Sequence, residues 1–189
     1  MVAVDDILAA CNTIAANFNL LGKQAEKISH AASLVSDAFA SGGKVMFCGN
    51  GGSAADSQHL AAELMGRYKR DRDPMAALAL TVDTSALTAI ANDYGYDQVF
   101  SRQLRGIGRE GDILVALSTS GNSPGVLAAL ATAREMGIVT LGLTGETGGR
   151  MKAACDLCIC VPSRETNHIQ KMHIAVGHII CGLIEKAEA

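Results

Sequence analysis

Apolar residues near the start of the chain recur at alternating spacings of three and four, the period of one helix face. The first stripe leads into the dipeptide "GK" at Gly22, and a second stripe ends at "SGG", Ser41 to Gly43. We therefore predict a helical hairpin whose apolar face packs on another layer, here a second subunit. The stripe positions are Val4, Ile7, Cys11, Ile14, Phe18 and Leu21, then Ile28, Ala32, Val35 and Phe39.

From Lys44 onward the pattern changes to short apolar runs that alternate with helical segments. The candidate strands are "KVMFCG", "MAALALT", "DILVALST", "IVTLGLTG" and "LCICVP". The candidate helices are Ser53 to Tyr68, Ser85 to Ala91, Asp97 to Gly106, Pro124 to Met136, Gly149 to Ala154 and about Glu165 to Ala187. Continuous apolar strands separated by helices indicate a parallel sheet that is covered on both faces.

The predicted fold class is therefore α/β. We expect a three-layer α/β/α sandwich of the flavodoxin-like type, with a five-stranded parallel sheet and an N-terminal helical hairpin. Residues 1–189 form a single domain in this prediction. Residues 1–42 supply the hairpin, used in oligomerisation, and residues 43–189 supply the α/β core with its C-terminal helix.

Composition narrows the class of protein. Apolar residues make up 49% and charged residues 19% of the chain, and the net charge of −3 provides no general basic surface for nucleic acid. The first residues include Asp5 and Asp6 and do not resemble a signal peptide. The stretch "HIAVGHIICGLI" is too short to span a bilayer. We expect a cytoplasmic protein that binds neither nucleic acid nor a membrane.

Two polar turns follow predicted strands: "CGNGGSA" after the first and "STSGNSPG" after the third. Glycine lets a backbone approach a ligand, hydroxyls donate to phosphate oxygens, and the helix starts that follow add a positive dipole end. Either turn alone is equally typical of an ordinary capped turn, and neither matches the P-loop or dinucleotide patterns. Two such turns in one small sheet indicate a site for the phosphate ester of a small molecule. The candidate phosphate ligands are Ser53, Ser118, Thr119, Ser120 and Ser123.

Two further pairs of residues are suited to acid–base chemistry. His59 and Glu63 are four residues apart and so share one helix face, as a plain surface pair also would. Because their helix starts at the first polar turn, we expect them to face the same pocket. Gln170 and His178 lie in the apolar last helix, where a histidine is more often a core residue than a ligand.

Four segments together resemble the phosphoheptose isomerases, a branch of the sugar isomerase (SIS) family. They read "GNGGSAADSQHLAAELMGRY", "AIANDYGYDQVFSRQL", "GREGDILVALSTSGNSPGVLAAL" and "RETNHIQKMHIAVGHIICGLIE". The resemblance implies an isomerase that converts sedoheptulose 7-phosphate to D-glycero-D-manno-heptose 7-phosphate through an enediol, the first step toward nucleotide-heptose precursors of lipopolysaccharide or other surface glycans. It implies Glu63 as the base and His178 as its acid partner.

The same resemblance implies further site residues and a cofactor. It implies one zinc ion per subunit, held by His59, Glu63, Gln170 and His178, and a homotetramer. Asn-Asp before Tyr-Gly is equally a plain turn, and a helix-end arginine is more often a dipole partner. The substrate contacts that it implies, besides the hydroxyl residues above, are Asn50, Gly51, Gly52, His59, Glu63, Arg67, Asn92, Asp93 and Gln170.

Two other functions compete with the isomerase. One is a non-catalytic SIS protein that binds the replication initiator, and the other is a sugar-phosphate-sensing regulatory module.

A further expectation concerns the subunits. Gln170 and His178 are eight residues apart, so their Cα atoms lie about 12 Å apart and are rotated by about 80° on one helix. We therefore expect Glu63 and His178 of one site to come from different chains.

Overall fold

The computed structural model describes residues 3–187 and shows helices alternating with strands. The helices are α1 (Val4–Leu21), α2 (Ala25–Ala40), α3 (Gly52–Met65), α4 (Thr84–Tyr94), α5 (Val99–Ile107), α6 (Pro124–Glu135), α7 (Met151–Ala154) and α8 (Thr166–Ala187). The strands are β1 (Val45–Gly49), β2 (Ala77–Ala79), β3 (Ile113–Ser118), β4 (Val139–Thr144) and β5 (Leu157–Cys160). Short 3-10 turns, Gly22–Gln24 and Tyr96–Gln98, precede α2 and α5.

The strands form one parallel sheet in the order β2-β1-β3-β4-β5. Successive residues of each strand face opposite sides, so the sheet divides the core into two halves. Val45 and Phe47 face the side that α2, α3 and α8 cover, whereas Met46 and Cys48 face the side that α5 and α6 cover. This confirms the predicted three-layer sandwich, and it explains why the strands read as continuously apolar.

The strand order positions the site. The chain leaves β1 toward β2 on one side and reaches β3 on the other, so the connections diverge between β1 and β3. In doubly wound sheets a crevice opens outside the carboxyl ends of the strands at such a point. The two polar turns predicted from the sequence follow β1 and β3 and therefore flank this crevice.

The boundaries differ most from the prediction at β2. It spans three residues, Ala77–Ala79, where the apolar run "MAALALT" predicted about seven. Met75 and Leu80 are buried all the same, beside the strand rather than in it. An edge strand pairs on one side only, and a short edge limits pairing with other chains.

The two N-terminal helices are present, but they pack differently. Helix α2 buries Ile28 and Val35 against α8 and β5, whereas the only residue that α1 buries is Leu21. Val4 and Ile7 on the predicted stripe of α1 are 70% and 54% exposed. Within residues 3–187, no helix has both the length and the apolar character needed for a bilayer crossing. Residues 1, 2, 188 and 189 of the predicted single domain lie outside the described residues.

Candidate active site

The two polar turns line one open pocket with a volume of about 390 Å³ at the carboxyl ends of β1 and β3. The amide of Asn50 joins the turns, because its Nδ2 donates to the Ser123 Oγ at 2.9 Å. The hydroxyl of Tyr96 donates to the Asn50 Oδ1 at 2.9 Å and holds that amide from the other side. Leu117, Thr166 and Gln170 line this pocket, together with every substrate contact that we predicted within the two turns: Asn50, Gly51, Gly52, Ser53, Ser118, Thr119, Ser120 and Ser123.

Backbone geometry makes this pocket suited to an anion. Gly51 precedes α3 and has φ of +56°, a conformation that glycine adopts without strain. Helix α3 starts at Gly52 and helix α6 starts at Pro124, so two positive helix ends face the same crevice. Among the hydroxyls, Ser120 is exposed, and its Oγ accepts from the N–H of Asn122 at 3.1 Å. An oxygen held in this way keeps its own hydrogen free to donate to a phosphate.

Three titratable side chains meet farther along α3. The Nε2 of His59 lies 3.1 Å from the Oε1 of Glu63 and 2.8 Å from the Nε2 of His178. One atom from each of the three lies within 4.8 Å of the other two. The side chain of His59 is 50% exposed and that of Glu63 is 20% exposed. The trio therefore opens to solvent in a single chain.

Glycines allow the two helices that carry the trio to approach closely. A Cβ on Gly177 of α8 would lie 2.3 Å from the Leu60 side chain of α3, and a Cβ on Gly52 would lie 2.4 Å from the amide of Gln170. These contacts align α3 and α8 side by side in the same direction, which brings His178 opposite His59. A single chain thus brings Glu63 and His178 together, so the pair does not need two chains, and our expectation that two chains share it stays a prediction.

Gln170 occupies a different place from the one that a compact four-ligand site requires. Its amide lies at Gly52 and lines the pocket between the turns. His178 is eight residues farther along α8, a rise of about 12 Å. The structure therefore brings together three of the four predicted metal ligands, and it places the fourth at the start of α3.

Burial and neighbouring charges set the pKa of His178. Desolvation lowers the pKa of this imidazole, the charge of His59 lowers it further, Glu63 opposes the shift, and Lys69 adds to it. The ring stacks on Tyr68 with centroids 5.3 Å apart and an interplanar angle of 18°. A neutral imidazole facing another imidazole nitrogen at hydrogen-bond distance is able to share or pass on one proton.

The remaining predicted contacts lie outside the pocket in this chain. Asn92 and Asp93 are exposed at the end of α4, where the Asn92 Nδ2 donates to the Asp93 Oδ1 at 2.8 Å. Arg67 is exposed and follows α3, which ends at Met65, so it is not the helix-end residue that we predicted. Among residues 3–187, none of these three side chains forms a hydrogen bond with the trio.

The structure adds residues that the sequence did not reveal. The Tyr96 hydroxyl donates to Asn50, and the Tyr68 ring stacks on His178. The carboxylate of Glu185 accepts a hydrogen bond from the backbone N–H of Tyr68. Tyr96 was detectable in principle, since it stands in "NDYGYD" beside the predicted Asn-Asp turn. No local pattern marks Tyr68 or Glu185, because their partners lie more than a hundred residues away in the chain.

Comparison with known proteins gives the same family as the sequence motifs. Residues 11–145 match the family model for the SIS domain. Over 183 residues, the chain is 60% identical to the phosphoheptose isomerase of Rhodospirillum rubrum, which covers 97% of each chain. The chain belongs to the phosphoheptose isomerase family.

Solved structures support this placement. The phosphoheptose isomerase of Neisseria gonorrhoeae matches with a TM-score of 0.91 and 42% identity, covering 96% of this chain and 98% of that one. The phosphoheptose isomerase of Francisella tularensis matches with a TM-score of 0.94 and 32% identity, covering 98% and 100%. All three relatives are named as isomerases, and they give no support to the initiator-binding or the sensing alternative. A phosphoheptose isomerase of this kind is an enzyme of the isomerase class.

Proposed function

We propose that this phosphoheptose isomerase interconverts sedoheptulose 7-phosphate and D-glycero-D-manno-heptose 7-phosphate. The observation that carries the proposal is the arrangement along α3, which begins at an anion pocket and carries His59 and Glu63 two to three turns later. The rise from Gly52 to His59 is about 10 Å. A sugar phosphate extended beside α3 reaches the trio with one end while its phosphate stays in the pocket.

The phosphate end is held by the two turns. Ser53, Ser118, Thr119, Ser120 and Ser123 supply hydroxyl donors, and the starts of α3 and α6 supply backbone N–H groups and dipoles. Gln170 lines the same pocket and binds the sugar chain or a phosphate oxygen through its amide. Asn50, Gly51 and Gly52 line the same pocket, whereas the family resemblance alone supports Asn92, Asp93 and Arg67 as substrate contacts, since they lie outside the pocket in one chain.

The reacting end of the sugar lies at the trio. In the step that uses the protonated form of His178, Glu63 removes a proton from C1 of the ketose, and the electron pair of that C–H bond forms the C1–C2 double bond of an enediol as the C2 carbonyl oxygen takes the proton of His178. Glu63 then returns its proton to C2, and the C1 hydroxyl proton goes back to His178 as the C1 carbonyl forms. Atoms and charge balance, and the reverse reaction follows the same steps. His59 contacts both partners and orients them.

The trio also fits a zinc site. Two imidazole nitrogens and one carboxylate oxygen within 4.8 Å of one another are a common donor set for that ion. We propose that His59, Glu63 and His178 hold one zinc per subunit, whereas Gln170 of the same chain lines the phosphate pocket and does not reach this ion. When bound, zinc polarises the substrate carbonyl or neutralises charge that develops on its oxygen. With zinc bound, the ion would replace His178 at the substrate oxygen, because a ring nitrogen that holds zinc carries no proton, and Glu63 would keep its second carboxylate oxygen for the proton transfer.

We propose that the working enzyme is a homotetramer in the cytoplasm, with residues 1–189 as one SIS domain. The apolar face of α1 supports an oligomer, because Val4, Ile7 and Leu8 are all more than half exposed. The half-exposed His59 supports the same view, since a partner that covers the trio would exclude water from it. In this proposal the product feeds nucleotide-heptose synthesis for lipopolysaccharide or other surface glycans.

A direct assay tests the function. Purified protein is incubated with sedoheptulose 7-phosphate before and after treatment with a chelator. The aldose phosphate that forms is separated from the ketose phosphate and measured by chromatography. We expect turnover in the untreated enzyme, loss of turnover on chelation and recovery with added zinc. If pure protein that holds zinc does not convert this ketose, the proposed reaction is wrong.

A further inference from the structure

The segment that follows α3, residues 66–73, is held by one buried carboxylate at the end of α8. Glu185 is 4% exposed, and its Oε atoms accept the backbone N–H groups of Tyr68, Lys69 and Arg70 at 2.8, 2.9 and 3.2 Å. Burial raises the pKa of the Glu185 carboxyl, but these N–H groups and Arg72 outweigh it and hold the pKa below its ordinary value. The carboxylate is therefore a charged anchor for the backbone of this segment.

Arg72 extends the anchor to the end of α3. Its Nε lies 3.2 Å from the Glu185 Oε1, and its guanidinium donates to the backbone carbonyls of Leu64 and Glu63 at 2.9 Å each. The last carbonyls of a helix lack partners within the helix, so this arginine caps α3 at Glu63 itself. Glu185 thereby connects the ends of α3 and α8.

Tyr68 connects the segment held by Glu185 with the imidazole of His178. Its ring lies nearly parallel to the imidazole of His178, with centroids 5.3 Å apart, while its backbone N–H is fixed by Glu185. Residues 3–187 offer no hydrogen bond to the Tyr68 hydroxyl, so the ring face is the part that acts on His178. The other side of His178 meets His59 at 2.8 Å. The imidazole is thus held between a proton-sharing partner and an aromatic face.

We propose that Glu185 and Tyr68 are positioning residues for His178: Glu185 folds residues 66–73 so that the Tyr68 ring fixes the orientation of the imidazole. Neither residue touches the substrate in this proposal. It rests on the proposed isomerase for its kinetic consequence only, because the ring orientation is measurable without turnover. Outer partners that orient a functional histidine change activity by about tenfold to a hundredfold when they are lost.

The ring-current shift of the His178 ring protons is the direct readout, measured by NMR on zinc-free protein and assigned with His178→Asn. Tyr68→Leu removes the ring that causes the shift and so gives the unstacked reference positions, whereas Tyr68→Phe keeps the ring and should leave the signals nearly unchanged. We expect Glu185→Gln to move them toward the Tyr68→Leu positions, although residue 185 is about 10 Å from residue 178 along the helix. Glu135→Gln, which removes an exposed partner of Arg105, is the matched control and should change nothing.

Kinetics give the second readout. With sedoheptulose 7-phosphate, we expect Tyr68→Leu and Glu185→Gln to lower kcat by about tenfold with a smaller change in KM, and Tyr68→Phe to stay within about twofold of the parent. If Glu185→Gln does not fold, as circular dichroism would reveal, the kcat values decide, and a Tyr68→Leu kcat equal to that of Tyr68→Phe overturns the proposal. The proposal is overturned if Tyr68→Leu leaves the His178 signals in place, or if a folded Glu185→Gln does so. Absence of turnover in the parent protein would refute the proposed reaction and leave the NMR result to judge the positioning role.

Discussion

The two ends of helix α3 contribute to the site in different ways. At its start, Gly51 and Gly52 present backbone and helix dipole to a pocket rimmed by hydroxyls. Near its end, His59 and Glu63 present titratable side chains to His178. The first end is built from local turn geometry, whereas the second exists only because α8 packs against α3.

This difference separates binding from chemistry. A phosphate bound by backbone groups and hydroxyls does not require any of them to change its protonation state, so that end is suited to hold the substrate through the whole reaction. The trio is suited to proton transfer, because an imidazole with a lowered pKa faces a second imidazole and a carboxylate. Changes at the trio should therefore act on turnover, and changes at the pocket should act on affinity.

The largest effect is expected at the trio. Glu63→Gln keeps the shape of the side chain but removes its basicity, so we expect kcat to fall by at least about a hundredfold while the fold and KM change little. Steady-state kinetics with sedoheptulose 7-phosphate measure this, with Glu135→Gln as the control. Near-parental turnover in Glu63→Gln would remove this carboxylate from the mechanism.

A mixing experiment tests whether Glu63 and His178 of one working site belong to the same chain. Glu63→Gln and His178→Ala are unfolded, mixed and refolded together, and the oligomers are checked for both chains by mass spectrometry. Because one chain brings both residues together, we expect the mixture to be no more active than the two variants refolded separately. If chains shared the pair, about one site in four would be intact in random mixtures. Recovery near that level would show that the working site uses a partner's residue.

The sequence predicted the pocket end better than the trio end, for a physical reason. A turn such as "STSGNSPG" fixes its own conformation, and the parallel sheet places all such turns at one edge, so local pattern and fold class together locate Ser120. The relation of Glu63 to His178 depends on how two helices pack, and Gly177 sets that packing without any local signal of its role. Reasoning from one helix alone led us to expect a shared pair, because it does not show that α3 brings His59 and Glu63 opposite His178 of the same chain.

At the pocket end, Ser120→Ala should act on affinity. Loss of one hydroxyl that donates to a phosphate costs about as much as one hydrogen bond to a charged group, so we expect KM to rise by about tenfold with a smaller fall in kcat. Ser85→Ala, at an exposed serine in the first turn of α4, is the control. An unchanged KM, or a loss confined to kcat, would contradict the assignment of Ser120 to the phosphate.

The contact between Gly52 and Gln170 gives a smaller effect. Gly52→Ala places a Cβ 2.4 Å from the present position of the Gln170 amide nitrogen, which must move aside. We expect KM to rise by about fivefold, since mild overpacking costs about 1 kcal/mol. Gly106→Ala in α5 meets no heavy atom within 4 Å and is the matched control. If both variants bind substrate like the parent, Gln170 does not need its present place in the pocket.

The smallest effect concerns His173, which lies on the same helix as His178 but is buried in the core. His173 is fully buried, and neither ring nitrogen has a hydrogen-bond partner among residues 3–187. Burial lowers its pKa from 6.5 to about 4, because the charged form would lose its hydration. The folded state therefore holds the imidazole neutral, and the stability that this provides is complete above pH 6.5 and is lost as the pH falls toward 4.

Between pH 7.5 and 5.5, protonation of His173 in the unfolded chain should lower the free energy of unfolding by about 1 kcal/mol. Urea titrations of the parent and of His173→Gln at both pH values measure this, because the other titrating groups contribute equally to both proteins. We expect the parent to lose about 1 kcal/mol more than the variant, which has no proton to gain at this position. Equal losses would mean that the imidazole takes up a proton as readily in the folded chain as in the unfolded one. His173 would then titrate within the fold, and α8 would not carry one histidine for stability and another for chemistry.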